Sequence, residues 1–136
     1  MPSLTEEQVE HLTTQVDNLR DECIIRLLFD SGMRISELVA LNLGDVNTEG
    51  DYYVRCFGKG HKERIIPIHE RAARAVDEYL KKVRPRLVQG RDEPALFLNA
   101  RGERLTRQGL WQILKDYAKA AELEGITPHT LSLIHI

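Results

Sequence analysis

Three positions in the 136-residue sequence have residue types suited to handling a phosphate. Arg34 lies two residues after Gly32 and three before Glu37. An arginine fork grips phosphate oxygens best when a neighbouring carboxylate fixes its position. The same pair also reads as an ordinary surface ion pair. Lys59 stands between Gly58 and Gly60. Glycines allow close approach of the backbone to a ligand, and a lysine there can reach a phosphate or leaving-group oxygen. Its bland counterpart is a solvated turn lysine. A nucleotide-binding P-loop is excluded, because that motif continues into a helix and here a β-rich run follows. His129 comes directly after Thr127-Pro128, a pairing that opens helices. An imidazole there suits acid/base work or a hydrogen bond to a phosphate oxygen, and equally a structural role. His129 and His135 are six apart, and His11, His61 and His69 show no ligand spacing, so no metal site is expected.

The elements that must hold these residues are legible from pattern. Thr5-Glu6-Glu7-Gln8 reads as a capping box opening a helix to about Val16. A second helix carries Leu19, Cys23, Ile24, Leu27 and Leu28 on one stripe, and Gly32 is placed to close it. Ile35, Leu38 and Val39 suggest a short third helix. Tyr52–Phe57 and Glu63–Ile68 are β-rich runs around a glycine-containing turn, which argues for a hairpin with Pro67 at an edge or an end. A helix from Glu70 to about Val83 turns Ala73, Val76, Tyr79 and Leu80 inward and is expected to stop at Pro85. Ala95–Leu98 reads as a short strand, turned at residues 99–102. Thr106 caps a helix to about Leu123 that buries Leu110, Ile113, Leu114, Tyr117 and Ala121. The expected class is α+β: mainly helical, with one small antiparallel sheet.

Composition fits a single globular domain, with 42% hydrophobic and 29% charged residues. Two cysteines, Cys23 and Cys56, make no disulfide framework, and a reducing, cytoplasmic setting is expected. No signal peptide or membrane span is read, because the most apolar stretch, Cys23–Phe29, is short and broken by Arg26. The net charge of −2 conceals an asymmetry: residues 1–50 carry net −7, and residues 53–91 carry net +7. A basic block in an acidic domain is where a polyanion would dock. Its other reading is a solvated helix end, with Lys81, Lys82, Arg84 and Arg86 suiting the macrodipole.

Taken in order, the segments around these positions resemble one family. Leu28-Phe29-Asp30-Ser31-Gly32-Met33-Arg34-Ile35-Ser36-Glu37-Leu38 resembles the first arginine box of the tyrosine recombinases, the phage integrase and Xer-type family. Asn42-Leu43-Gly44-Asp45-Val46 continues it. Gly58-Lys59-Gly60-His61-Lys62-Glu63-Arg64-Ile65-Ile66-Pro67-Ile68 is similar to the hairpin that carries that family's catalytic lysine. Leu96-Phe97-Leu98-Asn99, Gly102, Leu105-Thr106 and Ile126–Leu131 match its later landmarks. The resemblance spans Leu4 to Leu131, and four boxes in the right order are far more specific than any one.

The resemblance implies a mainly helical recombinase catalytic core acting on duplex DNA. In the family a tyrosine attacks a DNA phosphate, forms a 3′-phosphotyrosyl bond and releases a 5′-hydroxyl, with neither hydrolysis nor a metal or other cofactor. By matching position, Arg34 would clamp non-bridging oxygens, Lys59 would protonate the departing 5′-oxygen, and His129 would hydrogen-bond the phosphate. Glu37 would steady the site. Lys62, Arg64, Arg107 and Gln108 are expected DNA contacts, from charge and from their places near the hairpin and the Thr106-capped helix. The family's second arginine falls at Ser132, and none of Tyr52, Tyr53, Tyr79 and Tyr117 matches the nucleophile, whose place lies beyond Ile136.

Leu131–Ile136 equals the in-frame translation of CTGTCTCTTATACACATC, a transposon end used in sequencing libraries. Residues 1–130 are therefore read as a partial catalytic domain, and 131–136 as adaptor read-through. The expected protein is an inactive, monomeric fragment of an enzyme that works as a tetramer on DNA. The alternative is a naturally truncated, non-catalytic DNA-binding module.

Overall fold

The computed structural model describes residues 5–8, 18–58, 60 and 62–121. The capping box is present at the start: Thr5 N–H donates to Gln8 Oε1 at 2.9 Å, and Gln8 N–H donates to Thr5 Oγ1 at 3.1 Å. Residues 6–8 are helical. The rest of that expected helix lies outside the described residues, as does the helix start at Thr127-Pro128.

Helix α1 spans Leu19–Ser31. Its N-cap is Asn18, whose Oδ1 accepts from Asp21 N–H at 2.8 Å. Gly32 closes it at φ 71°, with its N–H on the Leu28 carbonyl. Helix α2 is short, Ile35–Val39, and a 3-10 turn over Leu43–Asp45 follows. Strands β1 (Val46–Asn47), β2 (Tyr53–Phe57) and β3 (Glu63–Pro67) form an antiparallel sheet in that order. The hairpin register pairs Tyr53 with Pro67 and Phe57 with Glu63. Pro67 thus ends an edge strand, where its missing N–H costs no ladder bond. Helix α3 (Glu70–Lys82) follows, then α4 (Arg84–Val88) and α5 (Arg107–Ala121).

Three expectations are corrected. The sheet has a third strand, β1, which at two residues is too short to show a period-2 pattern. Pro85 does not simply stop a helix: α3 ends at Lys82, and Pro85 sits in the first turn of α4, where a missing N–H is harmless. Ala95–Leu98 is not a sheet strand. It makes only isolated bridges, Ala95 with Asn42 and Leu98 with Arg104, and is apolar because all four residues are buried.

The core forms where α1 packs on α3 and α2 on α5. Cys23, Ile24, Leu27 and Leu28 meet Ala72, Ala73, Val76 and Tyr79, with Leu110, Leu114 and Ala118 closing the α5 side. Tyr79 stacks on Phe97 with ring centroids 5.4 Å apart. Its hydroxyl donates to the Leu96 carbonyl at 2.8 Å and accepts from Leu98 N–H at 3.2 Å. One buried phenol therefore satisfies a segment that has no sheet partner. At the far end, Tyr117 Oη donates to Asp21 Oδ2 at 2.7 Å, tying α5 to the start of α1. No helix among the described residues is long and apolar enough to cross a membrane.

Candidate nucleic-acid interface

The α1–α2 corner is built to leave one arginine outside. Gly32 turns the chain in the left-handed region, Met33 inserts fully into the core, and Ile35 and Leu38 anchor the next turn. Between these anchors Arg34 is extended (φ −78°, ψ 154°) and exposed, as the residue capping α2. Among the described residues nothing accepts from its guanidinium. The expected Arg34–Glu37 side-chain pair takes another form: Glu37 Oε1 accepts the Arg34 backbone N–H at 2.9 Å. This is the returning half of a capping box, and it fixes the corner while the fork stays free.

Glu37 is buried at 8% exposure, so its carboxylate needs partners. It finds a second on the hairpin, where Arg64 Nη2 lies 3.2 Å from both Glu37 oxygens. The root of the hairpin turn lies nearby, since a Cβ added at Gly58 would stand 4.0 Å from Glu37 Oε2. Gly58 N–H donates to the Lys62 carbonyl at 3.0 Å and closes the turn. One carboxylate thus joins the corner bearing Arg34 to the β2–β3 hairpin. Lys59 and His61 themselves lie outside the described residues, and so does His129.

Lys62 is exposed just before β3, its side chain with no partner among the described residues. Arg107 and Gln108 are exposed in the first turn of α5 and are likewise without described partners. Thr106 Oγ1 caps that helix by accepting Gly109 N–H at 2.9 Å. The structure brings Arg34, Glu37, Arg64 and the hairpin together, whereas Arg107 and Gln108 share no described contact with that group. Cys56, opposite Arg64 in the register, is no nucleophile at neutral pH. Burial, and then the Glu37 carboxylate, push its thiol up to about 11 against the opposing pull of Arg64.

Two arginines do structural work that spacing did not reveal. Arg104 Nη1 donates to the Val39 and Leu41 carbonyls at 2.8 and 3.1 Å, and Nη2 reaches Asn42 Oδ1. It thereby ties the approach to α5 to the end of α2. Arg84 is buried and donates to the carbonyls of Ala95 and Glu93. It therefore drops out of the solvated basic cluster assigned to the end of α3. For Arg84 the lack of an acidic neighbour in sequence is a hint of such a role; Arg104, directly after Glu103, carries none.

The sequence profile described as the phage integrase family matches residues 2–132. The chain belongs to the phage integrase family. Among relatives in this family, a tyrosine recombinase XerC of Herpetosiphon aurantiacus is 46% identical over 135 residues, covering 95% of this chain and 44% of that protein. The chain spans less than half the length of the curated relatives it matches. The crystal structure of XerA recombinase aligns with a TM-score of 0.83 at 25% identity, covering 99% of this chain and 49% of that one. XerH recombinase, solved bound to its difH substrate before cleavage, aligns at 0.73 with 22% identity, covering 97% and 41%. The mainly helical core with a small antiparallel sheet is thus the fold of phage integrase family catalytic domains.

Proposed function

We propose that this chain is the phosphate-gripping part of a site-specific tyrosine recombinase that acts on duplex DNA in the cytoplasm. The single observation that carries the reading is the exposed Arg34 fork, without an acceptor among the described residues, on a corner locked by Glu37 to the hairpin. An unpartnered guanidinium on a rigid support is suited to charge stabilisation at a phosphate. Arg34 grips non-bridging oxygens, Lys59 at the hairpin tip protonates the leaving 5′-oxygen, and His129 hydrogen-bonds the phosphate. Lys62, Arg107 and Gln108 contact the DNA backbone and set the register. In the whole protein a tyrosine C-terminal to this chain supplies the nucleophile, and the working assembly is a tetramer. On this reading the 136-residue chain alone is a monomer that binds DNA without cutting it.

The test is covalent trapping on a nicked duplex target by the complete reading frame, recovered by resequencing the locus across the Thr130 codon. A protein–DNA adduct is expected, and Arg34→Ala or Lys59→Ala should slow its formation about 10²–10³-fold. DNA binding with no adduct from any complete frame would instead leave a non-catalytic DNA-binding module.

A further inference from the structure

Arg64 was expected to be a DNA contact, but its surroundings point to a different task. Its Nη2 sits 3.2 Å from each Glu37 oxygen, straddling the carboxylate, while the same Oε1 holds the Arg34 N–H at 2.9 Å. The burial of the two partners is unequal: the Glu37 side chain is 8% exposed and that of Arg64 is 56% exposed. The acid cannot turn to water for solvation, so it depends on its partners far more than the arginine does. Arg64 stands opposite Cys56, a buried residue of β2, and that pairing fixes where its side chain begins. The hairpin root lies beside the same acid, since a Cβ added at Gly58 would be in ordinary van der Waals contact with Glu37 Oε2, at 4.0 Å.

We infer that Arg64 is a positioning residue, which acts through the Glu37 carboxylate to hold the β2–β3 hairpin in fixed register with the Arg34 corner. The inference deepens the recombinase reading and rests on it for its consequence in catalysis, but the latch itself is a property of the free protein. Without Arg64 the half-satisfied Glu37 carboxylate has to swing out of its buried position toward water, and in doing so it loosens its hold on the Arg34 N–H. Strands β2 and β3 then lose their link to the Arg34 corner. Lys62, exposed and unpartnered among the described residues, takes the phosphate contact that Arg64 is not free to make.

Amide hydrogen exchange on the DNA-free chain tests the latch directly. Arg64→Ala should speed exchange at the Arg34 amide about tenfold, the equivalent of one charge-assisted hydrogen bond. Glu37→Gln should do the same, and combining the two should add little. Arg64→Lys, whose single ammonium can also straddle the carboxylate, should restore most of the protection. If Arg64→Ala does not fold, the comparison of Arg64→Lys with Glu37→Gln carries the test. Salt-dependent binding to a duplex separates the alternatives: Arg64→Ala should leave the slope of log K against log salt unchanged, and Lys62→Ala should reduce it by about one. An Arg34 amide indifferent to Arg64→Ala overturns the inference, and so does a slope that falls by about one in Arg64→Ala. A parent chain with no salt-dependent binding overturns the recombinase reading, and the exchange data then decide the latch alone.

Discussion

Single residues carry constraints that composition alone does not reveal. Gly102 is buried at φ 78°, and a Cβ there would meet the Leu87 carbonyl at 2.3 Å. Gly102→Ala therefore combines left-handed strain with a backbone clash, and should cost about 2 kcal/mol or more in urea unfolding. Tyr79→Phe keeps the stack on Phe97 but strands the Leu96 carbonyl and the Leu98 N–H, for a loss of about 1–3 kcal/mol. Burial pushes the Tyr79 phenol from its ordinary value near 10 up to about 12, and the Leu98 hydrogen bond only partly opposes it. The folded chain holds that proton more tightly than the unfolded chain. The resulting stability is complete below pH 10 and is lost as pH rises through about 12. Denaturation midpoints should therefore fall across that alkaline window in the parent, and fall less in Tyr79→Phe. Gly102 was recognisable as a landmark of the family resemblance, but its clash with Leu87 depends on a packing that no local pattern encodes.

At the scale of elements, what could be read depended on whether the signal was local. Gly32, the Thr5–Gln8 box and the Thr106 cap act within a few residues of themselves, and each appears where its residue type demands. The hairpin was legible for the same reason, since its glycines and β-rich runs lie in one stretch. Ala95–Leu98 misled because burial by surrounding helices produces the same apolar run as a strand. Lys81, Lys82, Arg84 and Arg86 looked uniform in sequence, yet Arg84 turns inward to the Ala95 and Glu93 carbonyls across a contact the chain must fold to make. Arg104 is the parallel case at the end of α2. Arg104→Ala should release the Val39 and Leu41 carbonyls and cost about 1–3 kcal/mol, with faster amide exchange concentrated in α2 and the following turn. The Arg34 corner was found through residue types and spacing, whereas the Glu37–Arg64 link joins positions 27 apart and had no local signature.

The whole molecule is acidic at its start and basic through the hairpin and the helices after it. We propose that a phosphate backbone docks on the face formed by this basic block and the exposed Arg34 corner, which Glu37 latches to the hairpin. The central claim is that this face grips duplex DNA through backbone phosphates. The most direct test is the affinity of the 136-residue chain for a duplex, measured by fluorescence anisotropy from low to moderate salt. Steep weakening with added salt is predicted, with a slope that drops by about one each for Arg34→Ala, Lys62→Ala and Arg107→Ala. An affinity that stays flat across that range, or that ignores all three substitutions, would contradict the account.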